Sequence, residues 1–123
     1  MTIKEVSEKY NISADTLRYY ERVGMIPAVR RNPNGIRNYG EEECGWIEMA
    51  ICMRNAGLTI DTMIKYVQLY QQGDATIKAR LELLIEQKAK LMEQQEKIAQ
   101  TLQVLDYKIG RYQMAVASGR LSW

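Results

Sequence analysis

The sequence predicts an all-α protein with a small β-wing: a winged helix-turn-helix domain, then a long helix that dimerises as an antiparallel coiled coil. Three observations carry that prediction. Two short helical segments with capping residues lie within the first 24 residues, an arginine-bearing turn follows them, and from residue 75 onward apolar residues recur every seven.

Thr2 followed by Glu5 fits a capping box and opens a helix that buries Ile3 and Val6. The run YNIS interrupts it. Ser13 then caps a second helix, with Asp15 in the first turn, where a negative charge meets the positive end of the helix dipole. Gly24 is placed to end that helix. Ala14, Leu17 and Tyr20 recur at three-residue spacing and face inward, leaving Thr16, Arg18, Tyr19 and Arg22 largely outward. Tyr20 is therefore expected to pack, and Tyr19 to sit with the arginines.

Pro27 stops helix formation, and NPNG at 32–35 is turn chemistry between AVR and IRNY, which read as short strands. That is a hairpin, a wing, with Arg30, Arg31 and Arg37 near its tip; a mere connector is the plainer alternative. Gly40 and the glutamates 41–43 begin a third helix, with Trp46, Ile47, Ala50, Ile51 and Met53 as its buried stripe and Gly57 as its end. Thr59 and Asp61 open a fourth, bearing Ile60, Ile64, Val67 and Leu69 and closed by Gly73; Asp74 can cap the next helical segment.

From residue 75 to about 117 only Gly110 interrupts a helix-forming sequence. One heptad series runs Ile77, Leu84, Leu91, Ile98, Leu105, Tyr112; a second runs Leu81, Lys88, Gln95, Leu102, Ile109, Val116. Ten of these twelve seam positions are apolar. A helix of about 60 Å cannot bury such a seam against a small four-helix domain, so it needs a partner helix, and a second copy of the chain is the expected one. Lys88 and Gln95 lower seam stability but restrict register and orientation. The organisation expected is a winged domain with two further helices at 1–73, a coiled-coil helix at 74–117 and a tail at 118–123.

Composition narrows the function. The 123 residues suit one domain plus an extension, or one compact domain, and 46% hydrophobic with 26% charged residues marks a folded soluble protein. No apolar run approaches the ~18 residues that span a bilayer, and no charged-then-apolar leader opens the chain, so a cytoplasmic protein without membrane contact is expected. Net charge is only +2, but residues 1–39 hold seven Lys/Arg against four Asp/Glu. The excess in Arg18, Arg22, Arg30, Arg31 and Arg37 suggests a site addressed to phosphate, against the ordinary alternative of a solvated surface. Two cysteines and no histidine exclude a disulfide scaffold and remove histidine base catalysis and most zinc sites. No metal, cofactor or enzymatic activity is expected.

The stretches TLRYYERVGMIP (16–27), GIRNY (35–39) and RNAGLTID (54–61), in this order of parts, resemble the MerR family of bacterial transcription regulators. The resemblance covers essentially the whole chain. It implies that the second helix enters the major groove of promoter DNA with Thr16, Arg18 and Tyr19, while wing residues Arg37 and Tyr39 meet phosphate or the minor groove. Arg22, Arg30 and Arg31 complete the basic face. Arg18 can read a guanine edge or clamp a phosphate, and the Tyr19 and Tyr39 hydroxyls can donate to phosphate. The resemblance further implies a homodimer on a pseudo-palindromic site that bends and untwists an overlong promoter spacer, so that RNA polymerase engages both promoter elements when an effector switches the dimer.

Metal-responsive relatives carry cysteines at the ends of the dimerisation helix, and this chain has none after Cys52. WIEMAICMRNAGLTID (46–61) is similar to the aldehyde- and thiol-stress-responsive branch, with Cys52 at the position of its reactive cysteine. The residues themselves leave two readings open: a sensor thiol strained by added bulk in a packed region, or a core cysteine beside Ile51 and Met53. Cys44, in the first turn of the third helix, is a second candidate or a partly exposed bystander. Eight residues, ~12 Å along a helix, separate the two cysteines, too far for a disulfide. A coiled-coil scaffold is the rival reading, but it leaves the arginines without a task; salt-dependent duplex binding discriminates.

Overall fold

The computed structural model of the chain describes residues 1–123. In chain order these form α1 (Ile3–Tyr10), α2 (Ala14–Val23), α3 (Glu41–Asn55), α4 (Ile60–Gln71), a 3-10 turn at Asp74–Thr76 and α5 (Ile77–Ser118). The class is mostly helical with almost no strand. No helix is long and apolar enough to cross a membrane. Packing divides the chain into two compact units, Met1–Leu84 and Ile85–Trp123.

In the first unit α1, α2 and α4 start at side-chain caps, while α3 starts at Gly40 without one. Thr2 Oγ1 accepts from the Glu5 amide at 3.2 Å and the Glu5 carboxylate accepts from the Thr2 amide at 3.0 Å, closing the capping box. Such a cap stabilises a helix by about 1 kcal/mol. Ser13 and Thr59 serve α2 and α4 in the same way, each accepting from the amide three residues on. Gly24 ends α2 at φ 88°, left-handed backbone that a side chain would strain.

Val6, Leu17 and Tyr20 from the first two helices form one core with Ile47 and Ala50 of α3, Met63 of α4, and Met25, Ile26, Val29 and Tyr39 of the connecting segment. Full burial of each aliphatic residue is worth roughly 1.5–3 kcal/mol. Trp46, Ile51 and Met53 are only half-buried against this core, as are Ile60 and Ile64. The central α4 position goes to Met63, which the expected stripe passed over.

The wing differs from expectation. AVR and IRNY are not strands; one isolated antiparallel bridge joins Arg31 and Arg37. Asn38 donates to the Arg30 carbonyl and Asn32 to that of Ile36, both at 2.7 Å. The amides of Val29 and Tyr39 alternate with these and point away from the opposite arm, toward the rest of the domain. Val29 N–H goes to the Glu21 carboxylate at 2.9 Å, and Tyr39 N–H to the Met1 carbonyl at 2.8 Å.

The first unit also keeps the opening turns of α5. Arg80 donates to Thr76 Oγ1 at 3.1 Å and to the Gly73 carbonyl at 3.2 Å, with its guanidinium 5.3 Å from the Tyr70 ring centre. Leu83, off the heptad seam, is the buried apolar residue there, while Ile77, Leu81 and Leu84 stay exposed.

In the second unit α5 continues to Ser118, and Gly119 at φ 78° reverses the chain. The tail folds back on the helix: Arg111 donates to the Ser122 carbonyl and hydroxyl, both at 2.7 Å, and Trp123 meets Tyr112 edge-on with centroids 5.5 Å apart. Seam residues Ile98, Leu102, Leu105 and Ile109 are exposed at 61%, 54%, 47% and 52%. The exposed Ile85 and Met92 follow Leu84 and Leu91 directly and widen the stripe.

Candidate nucleic-acid interface

The turn between α1 and α2 is set by Asn11, whose left-handed backbone at φ 51° redirects the chain toward the Ser13 cap. With Leu17 and Tyr20 buried, the opposite face of α2 presents Arg18 and Arg22 to solvent. Thr16 is half-buried and its hydroxyl lies 2.8 Å from that of Ser13, so it belongs partly to the cap. Tyr19 is half-buried, its centroid 6.4 Å from that of Tyr20, with the Arg22 guanidinium 5.4 Å from its ring centre. The expected division holds: Tyr20 packs, and Tyr19 sits with an arginine.

Each remaining arginine has a partner within the chain. Arg18 pairs with Asp15 at 3.0 Å, an exposed contact worth well under 1 kcal/mol. Arg31 donates to the Gly35 carbonyl at 2.8 Å, stiffening the turn. Arg37 pairs with Glu21 at 2.7 Å. Arg30 forks onto Glu43 of α3 through Nε at 2.6 Å and Nη2 at 3.1 Å, so it is held away from the hairpin tip where it was expected. Burial pushes the Glu21 carboxyl up, but bonds from Arg37 and the Val29 amide outweigh it and leave it below the usual carboxylate value. The bond from Arg30 does the same for Glu43.

Tyr39 departs most from the surface role expected of it. It is 1% exposed, and its hydroxyl is buried without a hydrogen-bond partner. Burial pushes its phenol up, while Arg37, Arg18 and Arg31 pull it down.

The cysteines are both free, and the structure decides between the readings left open for each. Cys52 is exposed on α3, not packed in the core, because the helix turns Ile47 and Ala50 inward instead. Cys44 is buried and not a partly exposed bystander. Nearby, the Tyr10 hydroxyl donates to Glu48 at 2.7 Å; burial, then Glu48 and Cys44, push the Tyr10 phenol up.

Residues 1–69 match the family model described as MerR HTH family regulatory protein. The chain belongs to the MerR family. It is similar to the HTH-type transcriptional regulator AdhR of Bacillus subtilis, with 48% identity over 93 residues, 76% of this chain and 66% of the relative, just under two thirds of that protein's length. A MerR family transcriptional regulator from Listeria monocytogenes superposes with a TM-score of 0.91 at 42% identity, covering 97% of this chain and 90% of that one. HiNmlR, a MerR family regulator lacking the sensor domain and bound to promoter DNA, superposes with a TM-score of 0.87 at 32% identity, covering 96% and 94%. These relatives are transcriptional regulators, not enzymes.

For a MerR-family chain, the residues that sequence reasoning missed are the carboxylates. Glu21 and Glu43 each hold an arginine of the basic face. Their signal was faint. Glu21 sits inside RYYERV, and Glu43 is the one buried member of three adjacent glutamates, a distinction that composition alone does not make.

Proposed function

We propose that this MerR-family regulator binds duplex promoter DNA as a homodimer, placing α2 in the major groove and the wing against the backbone. The observation that carries the reading is the exposure of Arg18 and Arg22 on α2 and of Arg31 on the wing, with Arg37 of the wing held to Glu21 of α2 at 2.7 Å. Thr16, Tyr19 and Arg22 complete the proposed contact set, Tyr39 supports the wing from the core, and Arg30 contributes charge from its place beside Glu43. HiNmlR, similar over nearly the whole chain, is a promoter-bound protein, which supports the assignment.

Dimerisation is proposed through α5, whose exposed Ile98, Leu102, Leu105 and Ile109 need a second helix to leave water. A two-fold dimer matches a pseudo-palindromic site, and its phosphate contacts can offset the cost of bending and untwisting the spacer so that RNA polymerase engages the promoter. Electrophile or oxidant modification of Cys52 is the proposed switch; its exposure supports access of a small reagent.

The test is duplex binding across a salt series, using sequences selected from a random pool. Affinity is expected to fall steeply with salt, and Arg18→Ala to weaken binding without changing dimer mass. Salt-indifferent or absent binding would leave the scaffold reading in its place.

A further inference from the structure

The two arms of the wing share a single backbone bridge. A two-stranded ribbon so short does not hold itself in water. Yet Arg37 must keep a set position relative to α2 if both are to meet one duplex. Glu21, in the last turn of α2, spans the gap. One carboxylate oxygen accepts from the Val29 amide of the first arm at 2.9 Å, and the other accepts from Arg37 Nε of the second arm at 2.7 Å. The Glu21 side chain is 13% exposed and that of Arg37 23%, so both bonds are shielded from competing water.

We propose that Glu21 is a positioning residue for duplex binding: one carboxylate that fastens both arms of the wing, and Arg37 with them, to the helix that enters the groove. The inference rests on α2 and the wing being the DNA-contacting face. Charge and position predict opposite signs here. A carboxylate beside a polyanion repels it, so removing the charge should tighten binding if Glu21 acts by charge alone. If Glu21 acts by holding Arg37, removing it should weaken binding.

Glu21→Gln keeps the size but has one acceptor oxygen, so it serves one donor and not both. Glu21→Asp keeps the charge and both acceptors but withdraws them by one methylene. In the free full chain, amide exchange at Val29 is expected to quicken about tenfold or more in Glu21→Asp, with the α1–α4 helical amides still protected, while Glu21→Gln releases either Val29 or Arg37. Unchanged Val29 exchange in Glu21→Asp overturns the proposal. On mixed-sequence duplex DNA, both variants are expected to bind at least roughly threefold more weakly, and Glu21→Gln to cost nothing further when added to Arg37→Ala. Tighter binding by Glu21→Gln, wild-type binding by Glu21→Asp, or equal losses with and without Arg37 each overturn it. If Arg37→Ala itself binds as wild type, the wing is no DNA contact and the underlying reading falls. If Arg37→Ala weakens binding but the Glu21 variants do not, only the positioning role falls.

Discussion

At the scale of one residue, Tyr39 belongs to the core and not to the surface proposed to meet DNA. Its ring fills the core while its hydroxyl is buried without a partner, a situation that costs about 1–3 kcal/mol. Tyr39→Phe is therefore expected to raise thermal stability by up to about 1 kcal/mol while leaving duplex binding unchanged. Calorimetry and a binding isotherm check the two halves; weakened binding would return Tyr39 to the contact set. The carboxylates make a second prediction. Glu21 and Glu43 titrate below their ordinary value of 4.5 in the folded chain. A depressed folded value means the ion pairs stabilise the fold above pH 4.5, and that stability is lost as acidification passes through the folded values. Melting temperature should fall from about pH 4.5 downward. Glu43→Gln should melt lower than wild type at neutral pH and converge with it in acid; parallel curves would refute the assignment.

Among the elements, helix starts were the most legible, because a cap is decided by side chains within three residues of the helix end. Thr2, Ser13 and Thr59 all cap where their positions indicated. The wing was legible as a turn but not in its anchorage, since the groups that hold its outward amides, Glu21 and Met1, lie far away in sequence. On α5 the heptad stripe is exposed along the helix, and its two polar interruptions, Lys88 and Gln95, fall in adjacent heptads of one seam. Replacing both with leucine is expected to raise the dimer's melting temperature and loosen its register. Sedimentation and cysteine cross-linking read those outcomes; a double variant less stable than wild type would show that the seam does not pass through these positions.

At the scale of the whole molecule, the proposed switch would have to connect chemistry at one thiol with geometry at the two DNA-reading heads of the proposed dimer. Cys52 is exposed, so bulk added there would not act by forcing open the core of its own domain. Cys52→Ala is accordingly expected to keep duplex affinity and fold stability within experimental error and to abolish induction by aldehydes. A promoter-reporter assay with and without aldehyde checks this, and full induction in the variant would end the role of Cys52.

Local chemistry determined much of this protein without reference to the fold: where α1, α2 and α4 begin, that Gly24 ends α2, that a heptad stripe runs along α5, and that the motifs around RYYERVG belong to a regulator family. Tertiary structure alone decided which side chains on those elements meet. It buried Tyr39 and Cys44, exposed Cys52, chose Met63 for the core, and gave Arg30 and Arg37 to Glu43 and Glu21. The reason is range. Caps and periodicity depend on neighbours a few residues away, whereas the Arg30–Glu43 and Arg37–Glu21 contacts join residues 13 and 16 apart, and no local pattern records which of several carboxylates will arrive.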